Sequence, residues 1–252
     1  MKKDTTPFFV GYLKPAKKLR HFLLAVGVAL AVVLTVTGLV IGGTQDDPGE
    51  GAFRFDYGPQ TVSGVLEMLP YPLLHVTEGN KRVKAGETLM LTAQGKAGVS
   101  ARASRLEGKQ VTASGVVLER GTLNMLQLRG GKRGLKAAED AATPPESEPL
   151  GKWKLAGEIC DGKCLAGAMR PGTGLAHKAC AALCLIGDIP PVFVSSKPVE
   201  GSEFMLILDQ DGGRLPQSAY DYIAQFVSVE GELSRHGSML VFRIDPETLE
   251  VL

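Results

Sequence analysis

The sequence predicts a mainly β chain: an N-terminal transmembrane helix, then two small OB-like β-barrel domains in tandem, the second with a cysteine-rich insertion. Three observations predict it. An uncharged apolar run occupies residues 22–43. Beyond it, short strand-like runs are punctuated by Gly and Pro, and none shows a convincing helical period. Finally, two stretches of the chain match each other at a nearly constant offset.

The tail, residues 1–21, carries Lys2, Lys3, Lys14, Lys17, Lys18 and Arg20 against Asp4. The 22 apolar residues that follow make roughly 33 Å of helix, enough for a hydrocarbon core of about 30 Å. Asp46, Asp47 and Glu50 come next. Basic residues before the span and acidic ones after it put the N-terminus in the cytoplasm and the remainder in the periplasm or its equivalent. A cleaved signal peptide has an apolar region of about 7–15 residues, so the longer run here reads as an uncleaved, single-pass inner-membrane anchor.

The first β-domain, residues 53–136, holds 13 Lys/Arg against 6 Asp/Glu. Its expected strands are 61–76, interrupted by Pro70 and Pro72, then 87–93, 109–118 and 123–129, the last two joined as a hairpin through Gly121. Residues 97–107 read as a loop or short helix. The acidic, Pro- and Ala-rich stretch 137–150 reads as a linker.

The second β-domain, residues 151–252, repeats the first. Residues 85–91 match 200–206 at an offset of 115, and 111–128 match 227–244 at 116, with Gly115 on Gly231 and Gly121 on Gly237. Gly64 falls on Gly157 at an offset of only 93, so the second copy holds about 22 extra residues between its first and second strands. A small five-stranded barrel of the OB type fits this size and strand count, with an SH3-like barrel or a small sandwich as the alternatives. A short helix is expected within 218–226 and a closing turn at 245–249.

The extra residues lie within the insertion 160–191, which contains all four cysteines and His177. The spacing is Cys-x3-Cys, fifteen residues, Cys-x3-Cys. Three chemistries suit it. Outside the cytoplasm an even number of cysteines suits structural disulfides, and a segment doubling back on itself would nest Cys160–Cys184 around Cys164–Cys180. Alternatively, Cys160, Cys164, Cys180, Cys184 and His177 suit a zinc site, or a copper site with Met169 as a further soft ligand. The third is a redox-active thiol pair, with His177 and Lys178 beside Cys180. Residues 177–187 read as a short helix placing His177, Cys180 and Cys184 on one face.

The string Cys-Asp-x-Lys-Cys, then Met-x-Pro-Gly-x-Gly, then His-Lys-x-Cys-Ala-x-Leu-Cys-x-x-Gly-x-Ile-Pro-Pro resembles a signature of uncharacterised bacterial membrane-anchored proteins. The resemblance covers about 32 residues; it implies a membrane-anchored location and brings no activity.

There is no phosphate-binding Gly-rich loop, H-E-x-x-H, G-x-S-x-G or haem-attachment motif. His75 and His236 read as solvated. Few aromatics and an extracytoplasmic location exclude nucleic acid as the partner of the basic domain. Its Lys81, Arg82, Lys84, Arg129, Lys132 and Arg133 suit lipid headgroups, an acidic polymer or an acidic partner. The resulting expectation is an accessory or interaction subunit of a membrane complex in the cell envelope, docking rather than catalysing. The alternative is a redox or metal-binding protein built on the four-Cys/His segment.

Overall fold

A computed structural model describes residues 17–44 and 49–252; residues 1–16 of the basic tail lie outside the described residues. The chain forms two compact units, Met1–Asp47 and Pro48–Leu252.

Helix α1 (Lys17–Thr44) begins within the basic tail and runs through the apolar segment. By length and composition it can cross a membrane. Its exposed Leu, Val, Ile and Phe side chains are what a lipid-facing helix requires.

The second unit is mainly β. Its first sheet comprises β1 (Ala52–Phe53), β2 (Gln60–Leu69), β3 (Tyr71–Glu78), β4 (Thr88–Thr92), β5 (Lys109–Arg120), β6 (Leu123–Leu128) and β7 (Leu135–Ala141). Pairing runs β5–β2–β3–β4–β6 and back to β5, a closed five-stranded barrel in which only β4–β6 is parallel. The expected single strand over 61–76 is instead a hairpin. Pro70 sits at its tip and Pro72 in β3 opposite Met68. A residue without an N–H and with a fixed φ turns the chain here rather than interrupting a strand. Gly121 (φ 54°) makes the β5–β6 turn as expected. Helix α2 (Ser100–Ala103) and a 3-10 turn (Ser104–Leu106) occupy the stretch left open between loop and helix.

The second sheet comprises β8 (Ser147–Asp161), β9 (Pro191–Val199), β10 (Ser202–Asp209), β11 (Phe226–His236), β12 (Met239–Ile244) and β13 (Glu250–Val251). Its pairs are β8–β9, β9–β10, β10–β12 (parallel), β12–β11 and β11–β8. The acidic stretch 137–150 carries strand at both ends: β7 pairs with β5, and the start of β8 pairs with β11. Its composition suggested a linker because exposed edge strands need no apolar alternation. A 3-10 turn, Gln217–Tyr222, stands where a short helix was expected, and another, Pro246–Thr248, closes the chain.

Each sheet wraps its own core. Val62, Leu66, Leu74, Leu91, Val111 and Leu126 fill the first; Ile159, Phe193, Met205, Ile207, Val229 and Phe242 fill the second. A third apolar layer joins them, with Leu73, Met90, Leu118 and Met125 against Cys160, Val192, Leu206 and Val241. At roughly 1.5–3 kcal/mol for each large side chain buried, this layer makes the two sheets one packed body.

Polar contacts add to that joint. Thr88 N–H donates to Ser238 Oγ at 2.8 Å, and Ser238 N–H to Thr88 Oγ1 at 3.2 Å. His75 and His236, expected in solvent, are both buried beside Glu67. His75 Nε2 lies 2.7 Å and His236 Nδ1 3.8 Å from Glu67 Oε2. The docking of the sheets encloses these imidazoles, an arrangement without a local sequence signal.

Candidate metal centre

The insertion leaves the second sheet at the end of β8. Successive strand residues point to opposite faces, and this separates two neighbours. Cys160 turns into the layer between the sheets, and Asp161 turns towards the insertion. The chain then makes a wide helical turn over Cys164–Ala168, whose start is held by Cys164 N–H donating to Asp161 Oδ1 at 2.8 Å. It re-enters through a 3-10 turn (Leu175–His177) and helix α3 (Lys178–Ile186). Cys180 and Cys184, one turn apart, share a face of that helix.

Three of the four cysteines converge. Cys164 Sγ lies 3.8 Å from Cys180 Sγ and 3.9 Å from Cys184 Sγ. The three sulfurs lie within 4.8 Å of one another and are able to hold a metal ion. A second group with the same capacity, Asp161, Cys164 and His177, shares Cys164 with the first. His177 is buried, with Nε2 2.9 Å from Asp161 Oδ2 and Nδ1 3.0 Å from Met169 Sδ.

Cys160 stays apart. It is fully buried, and its thiol lies 3.1 Å from Glu158 Oε1. Burial, with the Glu158 charge, pushes its pKa well up, so it is held as a neutral thiol. All four cysteines are free, and the expected outer pair Cys160–Cys184 is not brought together. Of the five residues expected to ligate, the structure gathers Cys164, Cys180 and Cys184, places His177 beside them through Cys164, and sends Cys160 into the core.

Two lysines complete the site. Lys96, from the loop after β4, places Nζ 2.7 Å from Cys180 Sγ and 3.4 Å from Cys184 Sγ. Lys163 is buried and donates to the carbonyls of Ala93 and Gly95 at 2.6 and 2.7 Å, so the insertion grips the loop that supplies Lys96. Desolvation lowers the pKa of Lys163. The hydrogen bond to Cys180 and the Cys184 charge raise that of Lys96. Neither lysine carried a sequence signal for this role.

The loop and the insertion meet backbone to backbone. Gly98 N–H donates to Gly187 O at 2.7 Å, and a Cβ on either glycine would run into the facing main chain, Asp188 O for Gly98 and Lys96 O for Gly187. Ser100 donates through N–H and Oγ to the Asp188 carboxylate, which also pairs with Arg214 at 2.7 Å.

Within the cluster, the hydrogen bond between Cys164 and Cys184 lowers the pKa of the Cys184 thiol against the opposing effect of burial, and Lys96 adds to the fall. The same bond, with burial and the Asp161 charge, pushes Cys164 far up. Three clustered sulfurs suit a soft cation, and a thiol of lowered pKa beside an ammonium suits thiol chemistry.

Comparison of the chain with protein-family models, with curated proteins and with solved structures returns no match.

Proposed function

We propose that the chain is a membrane-anchored metal-binding protein in which Cys164, Cys180 and Cys184 ligate a soft cation, zinc or copper(I). One observation carries the reading. Tetrahedral sites with metal–sulfur bonds of about 2.3 Å have sulfur–sulfur edges of about 3.8 Å, and the sulfurs here stand 3.8 and 3.9 Å apart. The Asp161–His177 pair resembles the carboxylate–imidazole arrangement that supports metal ligands, and Met169 beside it favours copper(I).

The scaffold is read as two tandem OB-like barrels. The matching pairing order of the two sheets supports this. So do the glycines: Gly64 and Gly157, and likewise Gly115 and Gly231, each lie against a carbonyl of the neighbouring strand. The basic residues before the span support an inner-membrane anchor with a periplasmic second unit.

The test is elemental analysis of the full chain purified in detergent under reducing conditions. One zinc or copper per chain is expected, lost in Cys164→Ser and Cys184→Ser and kept in Cys160→Ser. A folded chain without bound metal, even when purified with added zinc or copper(I), overturns the reading.

A second reading, an interaction subunit, is favoured by exposed Leu175, Leu183 and Ile186 on the insertion. It predicts that Leu183→Glu shifts the size of the detergent-extracted complex while leaving metal content unchanged.

A further inference from the structure

We propose that Cys180 and Cys164 form a thiol–disulfide exchange site for external disulfides, and that the Cys164–Cys180 bond and the bound cation exclude each other. The second clause rests on the metal-binding reading; the exchange itself does not.

Access and distance both point to this pair. Cys180 is the least buried of the three clustered cysteines, whereas Cys164 is 5% and Cys184 2% exposed. An external disulfide therefore meets Cys180 first. Lys96 Nζ, 2.7 Å from Cys180 Sγ, is a fixed positive partner for the sulfur as it attacks and for the thiolate that departs. Cys164 Sγ waits 3.8 Å away, within a side-chain rotation of bonding distance. Cys160 takes no part, being enclosed between the sheets.

The chemistry balances in two displacements. The Cys180 sulfur attacks one sulfur of R–S–S–R; the Cys180 S–S–R mixed disulfide forms, the S–S bond of the external disulfide breaks and one RS⁻ thiolate leaves. The Cys164 sulfur then attacks the Cys180 sulfur; the Cys164–Cys180 bond forms, the S–S bond of the mixed disulfide breaks and the second RS⁻ thiolate leaves. The protein dithiol loses two electrons, the external disulfide gains them, and the two protons released by the cysteines reappear on the two RSH products. Two of the three metal-ligating sulfurs are consumed, so oxidation empties the site and a bound cation protects it.

The test uses the reduced full chain in detergent with 4,4′-dithiodipyridine as the external disulfide. For the metal-free chain the expected fast phase releases two equivalents of thiopyridone, and peptide mass mapping finds Cys164 joined to Cys180. In Cys164→Ser the fast phase falls to one equivalent, and the adduct persists on Cys180. For the zinc-loaded chain, one zinc is freed per two thiopyridones. A lasting adduct on wild-type Cys180, or a bond joining any other pair, overturns the exchange site. Zinc that stays bound after the Cys164–Cys180 bond has formed overturns the mutual exclusion. A chain that forms the bond but never binds zinc or copper(I) sinks the metal reading and leaves the exchange standing.

Discussion

Asp161 serves two partners from the end of β8. One carboxylate oxygen accepts the Cys164 N–H, the other sits 2.9 Å from His177. Removing it leaves an enclosed imidazole with one fewer partner and a helical turn without its start. Asp161→Ala is expected to lower stability by about 1–3 kcal/mol, the cost of a buried polar group left unpaired. It should weaken zinc binding about 10–100-fold. Urea unfolding and competition with a chromogenic chelator measure the two effects; an unchanged affinity would remove Asp161 from the site's support. Glu67 makes a different prediction. Burial acts to raise its pKa, but His236 and His75 at its oxygen outweigh that and hold it at about 2. A depressed carboxyl stabilises the fold above its unfolded value of about 4.3, and that contribution fades as pH falls through the folded value. The urea midpoint should therefore drop between pH of about 4 and about 2, and Glu67→Gln should flatten that part of the curve. Equal slopes in both proteins would show that the junction between the sheets does not depend on this charge.

At the scale of elements, the loop after β4 and the insertion are locked by a contact that tolerates no side chain. Gly187 faces Lys96 O, and Gly98 faces Asp188 O. Neither substitution can be absorbed by a flexible side chain, because the obstacle is main chain. Gly187→Ala is expected to cost about 1–3 kcal/mol through this overpacking. It should also displace Lys96 from Cys180. Thermal unfolding reads the first effect, and the thiol reaction rate of Cys180 reads the second. A variant with wild-type values for both would mean that the loop moves freely against the insertion. Helix α3 is simpler: its Cys180–Cys184 spacing of four brings both sulfurs to one face on any regular helix. The π-like turn after Asp161 then presents Cys164 to that face.

Taking the molecule whole, α1 is uncharged and exposed over residues 22–43, and the β unit encloses its own cores. A chain lacking residues 1–44 should remain in the aqueous fraction after detergent-free lysis, while the full chain sediments with membranes. Aqueous behaviour of the full chain would overturn the anchor. The helix was legible in sequence because transfer into lipid depends on composition and length, both of which are local. The β5–β6 hairpin with Gly121 was equally legible, because a tight turn needs a positive φ that glycine supplies. The bend at Pro70 was less so: the same residue can interrupt a strand or turn it, and only pairing partners decide. The strand character of 137–150 was hidden because an edge strand carries no apolar alternation. The cysteine cluster was half legible. Spacing along α3 places Cys180 and Cys184 together, and nearness in the chain brings His177. The separation of Cys160 from Asp161 depends on which side of β8 faces the first sheet. Lys96 lies 84 residues from Cys180, and no local pattern links them. By itself, then, the sequence determined the features set by short-range chemistry: an apolar span, glycine turns and thiols at helical spacing. Only tertiary structure decided which sulfurs meet, which lysine meets them and which histidines are buried. The sulfurs meet because the insertion folds back on itself, Lys96 meets them because the insertion closes on the loop after β4, and the histidines are buried because the two sheets dock; each is packing between partners distant in the chain.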